Sequence, residues 1–250
     1  MSCPDGPTAV EQQAAAAEKN KSFFAGNEDY ARAVAELDTY RNIRAAIDAE
    51  VTGIGRLLDV GNGGAFDYSP ELVGQIVAVD LFLDGVPPDA FPPNVVARAG
   101  DALALDEPDA SYEAVLMAFL LHHLVGERPR DLVVNARRAI AEGVRVLEPG
   151  GRLIIVESCV APWFYAVEQA MFYPLKWLTQ TRAMSHPATL QLPAPKLHAL
   201  VEEQGVVVER DQALPVGRWL LQFGKRWPAA LTPARPRLLT ARKPATGGRA

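Results

Sequence analysis

The sequence predicts an α/β fold built on a mostly parallel sheet, and two observations lead to this prediction. Short apolar, β-rich runs alternate along the chain with stretches whose apolar residues recur every three or four positions. Near-continuous apolar strands separated by helical crossovers are typical of parallel strands covered on both faces. Near the end of the chain the last two apolar runs follow each other without a helix between them, which favours an antiparallel final pair.

The composition is that of a globular protein. The chain has 250 residues, of which 49% are hydrophobic, and a formal net charge of −5. We expect no nucleic-acid partner, because binding to phosphates requires a basic surface. No secretory signal is recognisable at the start, and the longest apolar stretch, residues 114–125, is too short to cross a bilayer. A cytoplasmic protein without membrane contact is therefore expected.

Two further features of the composition bear on the site. The two cysteines, Cys3 and Cys159, argue against a disulfide framework and against a thiolate metal site. From Gln212 to the end there are eight Lys or Arg residues and no acidic residue. This basic end is either a solvated tail or a surface that attracts an anionic group.

The elements come in a regular order along the chain. Residues 1–20 are expected to form a flexible N-terminal arm, and residues 21–250 a single domain with cap insertions at about 158–194 and 213–236. The apolar period predicts helices over about 27–49, 132–147 and 195–203. Strands are predicted at Arg56–Val60, Ile76–Asp80, Val95–Ala99, Ala114–Phe119, Arg152–Glu157, Val206–Arg210 and Leu238–Arg242.

Glycines and acids stand at the ends of the first three strands. Gly61 and Gly63 follow Asp59, and glycines allow a tight turn in which a ligand lies against bare backbone. Asp80 closes the second strand, 21 residues after Asp59, where an acid accepts hydrogen bonds from ribose hydroxyls. Asp101 follows the third strand after another 21 residues, and its carboxylate is suited to an adenine amino group.

Together these pieces resemble the class I S-adenosylmethionine-dependent methyltransferases, especially the small-molecule group. The resemblance covers about residues 55–157 well and the last two strands more loosely. Five short stretches carry it: Asp59–Gly63, Asp80, Gly100–Leu103, Asp109–Val115 and Arg145–Leu153. It implies a Rossmann-like sheet of seven strands, mostly parallel with an antiparallel last strand, and helices on both faces. It also implies S-adenosylmethionine as cofactor, with a binding site that includes Asp59, Gly61, Gly63, Asp80, Leu81, Asp101, Ala102 and Phe119.

A nicotinamide dehydrogenase shares such a sheet but fits the first loop less well. Its fingerprint requires a third glycine three residues after the second, and Phe66 occupies that position. The first crossover departs from the methyltransferase pattern too, since it is short. Ser69 and Pro70 are good residues for a helix start, so this crossover helix is expected to begin late.

The acceptor side is expected at the end of the fourth strand. His122 and His123 resemble a Leu-His-His element of natural-product methyltransferases, and both are candidate catalytic residues. In an extended segment adjacent side chains point to opposite sides, so only one would face the pocket, and His123 is preferred. Glu157 ends the fifth strand at the same edge, where it either faces the acceptor or caps the segment after the strand. Signatures of nucleic-acid amino methylation and of magnesium-binding catechol methylation are absent, which favours a small-molecule acceptor and no metal.

Aromatic residues in both insertions favour an apolar or ring-containing acceptor. They are Trp163, Phe164, Tyr165, Phe172, Tyr173, Trp177, Trp219, Phe223 and Trp227. The sequence therefore predicts methyl transfer to a small organic acceptor, with oxygen or nitrogen favoured over carbon. Two alternatives stay open: a non-catalytic module that binds the donor or activates a partner, and a donor-binding enzyme that transfers no methyl group. The oligomeric state is not predicted.

Overall fold

The computed structural model describes residues 36–83, 87–179, 189–222 and 225–245. The N-terminal arm predicted over residues 1–20 lies outside these ranges. Within the described ranges, seven strands form the main sheet and two form a separate hairpin. In chain order they are β1 (Arg56–Val60), β2 (Gln75–Asp80), β3 (Val95–Ala99), β4 (Tyr112–Ala118), β5 (Leu147–Cys159), β6 (Val207–Ala213), β7 (Trp219–Gln222), β8 (Lys225–Pro228) and β9 (Arg235–Arg242).

The main sheet has the strand order β3-β2-β1-β4-β5-β9-β6. The first five strands pair in parallel, and β9 pairs antiparallel with both β5 and β6. Consequently β6 points the same way as β5, and only the last strand in sequence runs against the others. The predicted Rossmann-like, mostly parallel sheet with an antiparallel last strand is confirmed. The carboxyl ends of β1 to β5 therefore meet at one edge, where this class of sheet binds ligands.

Helices lie on both faces of the sheet. They are α1 (Asp38–Val51), α2 (Pro129–Val146), α3 (Pro162–Ala170), α4 (Phe172–Thr179) and α5 (Ala194–Glu202). The buried residues of α2 and α5 pack into the hydrophobic cluster on one face, and those of α1 pack into the cluster on the other. The predicted helix over 27–49 corresponds to α1, although its part before residue 36 is not described. No helix among the described residues is both long enough and apolar enough to cross a membrane.

The first crossover contains only a single helical turn, the 3₁₀ turn Pro70–Leu72. It begins where Ser69 and Pro70 predict, but it does not extend into a helix. The crossover is too short for a helix, because backbone pairing with the segment just before β1 begins at Gly74. The Gly74 N–H donates to the Ile54 carbonyl at 2.9 Å. The fully buried ring of Tyr68 packs in the cluster beneath α1.

The hairpin β7–β8 was not predicted from the sequence, which indicated only an aromatic and basic stretch there. The segment leading into it is fastened to the start of α1 by the Thr39 hydroxyl. This hydroxyl accepts a hydrogen bond from the Gly217 N–H at 2.8 Å and donates one to the Trp219 carbonyl at 2.9 Å. The second insertion therefore packs against the first described helix.

Candidate active site

The loop after β1 forms a tight glycine turn at the carboxyl edge of the sheet. Gly61 has a φ of +78° and Gly63 a φ of +59°, both in the left-handed region that glycine adopts readily. A Cβ atom on Gly61 would lie 2.5 Å from the Leu120 side chain, whereas a Cβ on Gly63 would meet no atom within 4 Å. The turn is thus packed against the protein at Gly61 and open at Gly63.

Asp80 connects this turn to the end of β2. Its Oδ2 accepts a hydrogen bond from the Gly63 N–H at 2.9 Å, and its Oδ1 accepts one from the Phe82 N–H at 2.9 Å. Burial raises the pKa of this carboxyl. Each carboxylate oxygen has a second lone pair, so Asp80 has acceptor capacity left for a ligand hydroxyl. The adjacent Leu81 side chain is exposed and borders the same space.

Asp59 lies inside the fold, below the turn. Asp59 is 1% exposed. Its Oδ2 accepts hydrogen bonds from the Tyr68 hydroxyl at 3.0 Å and from the Asn62 amide at 3.1 Å. Burial raises the pKa of Asp59 to about 7. These contacts give Asp59 a part in holding the turn, and its direct contact with a cofactor stays a prediction.

The third predicted acid, Asp101, begins a tight turn after β3. Its Oδ1 accepts the Leu103 N–H at 2.8 Å, and Ala102 between them is buried. The Gly100 N–H donates to the Asp80 carbonyl at 3.1 Å, so the ends of β2 and β3 lie side by side. The structure therefore brings Asp80 and Asp101 to the same edge of the sheet.

The end of β4 has a strained backbone. Phe119 has a φ of +53°, a conformation that costs free energy for a bulky residue and is found mostly at functional sites. Its N–H donates to the Val156 carbonyl at 2.8 Å, which ties it to β5. The ring of Phe119 lies 6.5 Å from the Tyr40 ring and 6.5 Å from the His122 ring, measured between centroids.

The two histidines do not lie in an extended segment. Leu121–His123 is a 3₁₀ turn, and the rings of His122 and His123 are neighbours, with centroids 4.1 Å apart. The expectation that they point to opposite sides is therefore wrong, because a 3₁₀ turn rotates successive side chains by about 120° instead of 180°. The other contacts of each histidine therefore distinguish the two.

His122 pairs with a buried carboxylate. Its Nδ1 lies 2.6 Å from Oε1 of Glu157, and its backbone N–H donates to Oε2 of Glu157 at 3.3 Å. The Glu157 side chain is 1% exposed and the His122 side chain 12% exposed. Oε1 of Glu157 also accepts the Ser158 N–H at 2.6 Å. This carboxylate thus contacts both His122 and the backbone of the residue that follows it.

Two residues from the first insertion, Glu168 and Gln191, also lie beside this pair. Neither is predicted from the sequence as a site residue. Glu168 on α3 accepts the Gln191 N–H at 3.3 Å, and the Gln191 amide donates to the Ser158 hydroxyl at 3.1 Å. Burial raises the pKa of Glu168 to about 7, against the lowering effect of nearby His122. No local pattern marks either residue, because both reach the site only through the folding of the insertion.

The aromatic residues of the insertions divide into two groups. Tyr165 and Phe172 are buried, whereas Trp163, Tyr173 and Trp177 are 67%, 59% and 68% exposed. These three rings lie at the surface of the described part of the chain. Phe223 lies outside the described residues.

Comparison with known proteins agrees with this geometry. Residues 58–155 match a family model described as a methyltransferase domain. A demethylmenaquinone methyltransferase of Deinococcus radiodurans is 30% identical over 141 residues, which are 52% of this chain and 54% of that protein. A ubiquinone/menaquinone biosynthesis C-methyltransferase UbiE of Saccharophagus degradans is 32% identical over 137 residues, 49% of this chain and 51% of that protein. The chain spans between 24% and 54% of the length of the curated relatives it matches.

A solved structure shows the same fold over nearly the whole chain. The Burkholderia thailandensis 1,6-didemethyltoxoflavin-N1-methyltransferase, with bound 1,6-didemethyltoxoflavin and S-adenosylhomocysteine, superposes with a TM-score of 0.57 at 19% identity. The superposition covers 96% of this chain and 93% of that one. Residues 58–155 thus match a methyltransferase domain, and the fold is that of solved S-adenosylmethionine-dependent methyltransferases. The similarity supports S-adenosylmethionine as the cofactor, as the sequence predicts.

The groups at the carboxyl edge of the methyltransferase domain fit this cofactor. The open space beside Gly63 admits a ligand against the backbone, and the remaining lone pairs of Asp80 suit ribose hydroxyls. Asp101 on the neighbouring strand end offers a further acceptor. No group of three or more His, Cys, Asp or Glu side chains suited to a metal ion occurs within the described part of the chain.

Proposed function

We propose that this chain transfers the methyl group of S-adenosylmethionine to a small ring compound that bears a hydroxyl group. In this proposal His122 accepts the hydroxyl proton. The observation that carries it is the 2.6 Å contact between Nδ1 of His122 and Oε1 of Glu157, at the strand ends of the methyltransferase domain. The pairing favours His122 over His123, which was the residue preferred from the sequence.

Asp80, the backbone at Gly63 and Asp101 are the groups proposed to hold the cofactor. When bound, S-adenosylmethionine supplies a methyl group activated by attachment to a positively charged sulfur. Transfer is an in-line displacement, so the protein accelerates it mainly by positioning the acceptor. Phe119 and Leu81 border the cofactor side in this arrangement. The strained backbone at Phe119 leads the chain from β4 into the 3₁₀ turn Leu121–His123.

Glu157 determines which nitrogen of His122 is available. A carboxylate next to Nδ1 favours the tautomer with the proton on Nδ1, and Nε2 is then free to accept a proton from the substrate. After the transfer, the imidazolium is stabilised by the same buried carboxylate. Since a module that only binds the donor needs no such base, the His122–Glu157 pair favours an enzyme over a non-catalytic binding protein.

The curated relatives indicate the class of the acceptor. The two described above are named for methylation in menaquinone or ubiquinone biosynthesis, and one is named a C-methyltransferase. The sequence favours oxygen or nitrogen as the acceptor atom, and these names support carbon as a second candidate. For transfer to oxygen and for transfer to carbon, removal of the hydroxyl proton activates the acceptor. A phenolate is more nucleophilic than a phenol both at its oxygen and at its ring carbons.

Single-turnover methyl transfer to 1,4-naphthalenediol, kept reduced under anaerobic conditions, tests the proposal. His122→Ala is expected to slow the transfer by ~10²–10⁴-fold, while donor affinity changes little. His123→Ala is the matched control and should retain most of the rate. Mass spectrometry of the product identifies the methylated atom. If no S-adenosylhomocysteine forms, the non-catalytic alternative is favoured, and if the two variants lose rate equally, His122 is not the base.

A further inference from the structure

The segment after the first insertion runs directly beside the His122–Glu157 pair. The Leu190 N–H donates to the His122 carbonyl at 3.3 Å, and the Val160 N–H donates to the Leu192 carbonyl at 3.3 Å. These two bonds fix the backbone on both sides of Gln191. The backbone at Gln191 is therefore held between the turn after β4, which carries His122, and the end of β5, which carries Glu157.

The carboxamide of Gln191 is oriented by one bond and incomplete at its other atom. Its Nε2 donates to the Ser158 hydroxyl at 3.1 Å, and Ser158 directly follows Glu157. Its Oε1 is buried and has no hydrogen-bond donor within the described ranges. A buried acceptor without a donor is unfavourable, so such an atom is usually satisfied by a ligand or by an ordered water.

Each neighbouring carboxylate already accepts at least one hydrogen bond from the protein. Oε1 of Glu157 accepts from Ser158 and contacts His122, and Oε2 accepts the His122 N–H. Oε2 of Glu168 accepts the backbone N–H of Gln191. The Gln191 oxygen is a neutral acceptor with its full capacity available. It suits an uncharged O–H or N–H donor on a ligand.

We propose that Gln191 is a specificity-determining residue that accepts a hydrogen bond from a second hydroxyl or N–H group of the acceptor. The assignment rests on the proposed function, since the first hydroxyl is the one that His122 deprotonates. It narrows the substrate class to ring compounds with two donor groups, such as diols of the hydroquinone type. A site that offers a buried acceptor discriminates strongly against an analogue that lacks the donor, because the acceptor then stays unpaired.

A pair of probes that differ in one hydroxyl tests this assignment. The binding of 1,4-naphthalenediol and of 1-naphthol to the full chain is measured by calorimetry, under reducing conditions and with S-adenosylhomocysteine present. The parent chain should bind the diol about 5- to 100-fold more tightly than 1-naphthol. Gln191→Met, which keeps the length of the side chain but removes the acceptor, should bring this ratio close to one. Gln191→Glu, which restores an oxygen, should recover part of the ratio.

Gln204→Met, in the turn after α5, is the matched control and should leave the ratio unchanged. The inference is overturned if the parent chain does not distinguish the two probes, or if Gln191→Met keeps the parental ratio. Binding and turnover separate the two proposals. If the ratio behaves as expected while no methyl group is transferred, the role of Gln191 stands and the proposed function fails. If methyl transfer occurs with equal affinity for both probes, the reverse holds.

Discussion

The phenolic oxygen of Tyr68 lies 3.0 Å from Oδ2 of Asp59, and this hydrogen bond joins the short first crossover to the end of β1. Both residues are almost completely buried. The Tyr68 ring packs in the hydrophobic cluster that includes Ile43 and Ile47 of α1. The bond links the shape of the glycine turn to the packing beneath it, and the protonation of Asp59 then affects the stability of the fold.

Asp59→Asn is expected to alter how stability depends on pH. Burial raises the pKa of Asp59 from 3.8 to about 7, so the folded chain keeps this proton over a range in which the unfolded chain loses it. The stabilisation is complete below pH 3.8 and is lost as the pH rises through about 7. The variant should remove about 2–4 kcal/mol of this decrease in the free energy of unfolding, measured by urea titration from pH 4 to 8. Asp106→Asn, at an exposed position, serves as control, and equal slopes for parent and Asp59→Asn would contradict the expectation.

Alanine at the two turn glycines should have unequal effects. Both residues have a positive φ, but only at Gly61 does the added Cβ meet another side chain, at 2.5 Å from Leu120. Gly63→Ala should cost about 1–2 kcal/mol through backbone strain alone. Gly61→Ala should cost about 1–3 kcal/mol more because of overpacking, as read from thermal or urea unfolding. A larger loss at Gly63 than at Gly61 would show that the turn is packed differently.

Asp80→Ala is expected to weaken the binding of S-adenosylmethionine by about 1.5–3 kcal/mol, because charge-assisted hydrogen bonds to the ribose are lost. Asp80→Asn retains an oxygen acceptor and should lose less. Isothermal calorimetry provides the affinities, and the melting temperatures of the variants show whether the Gly63 and Phe82 contacts of Asp80 matter for folding. Unchanged affinity in a folded Asp80→Ala chain would remove this residue from the cofactor site.

Glu157→Gln is expected to slow single-turnover methyl transfer by ~10–10³-fold with little change in donor affinity. An amide beside Nδ1 of His122 can donate a hydrogen bond and so favours the tautomer whose Nε2 is protonated and cannot accept the substrate proton. Glu71→Gln, at an exposed position on the first crossover, is the control. A parental rate in Glu157→Gln would limit Glu157 to a structural role.

The sequence by itself determined the strands of the main sheet, their direction and the edge at which the candidate site lies, but not the hairpin β7–β8. Apolar runs separated by crossovers are local patterns, and parallel strands place their carboxyl ends together, so Asp80 and Asp101 were correctly expected at one edge. The amphipathic helix α2 and the antiparallel last strand are also visible in local patterns of hydrophobicity.

Only the tertiary structure decided which side chains contact each other at that edge. His122 and Glu157 are separated by 35 residues in the sequence. Their contact depends on a 3₁₀ turn at Leu121–His123, where the apolar pattern of β4 indicated an extended segment. Gln191 and Ser158 are 33 residues apart and meet because the first insertion returns to the end of β5. Contacts between distant residues depend on how insertions pack on the sheet, and side-chain periodicity carries no information about that packing.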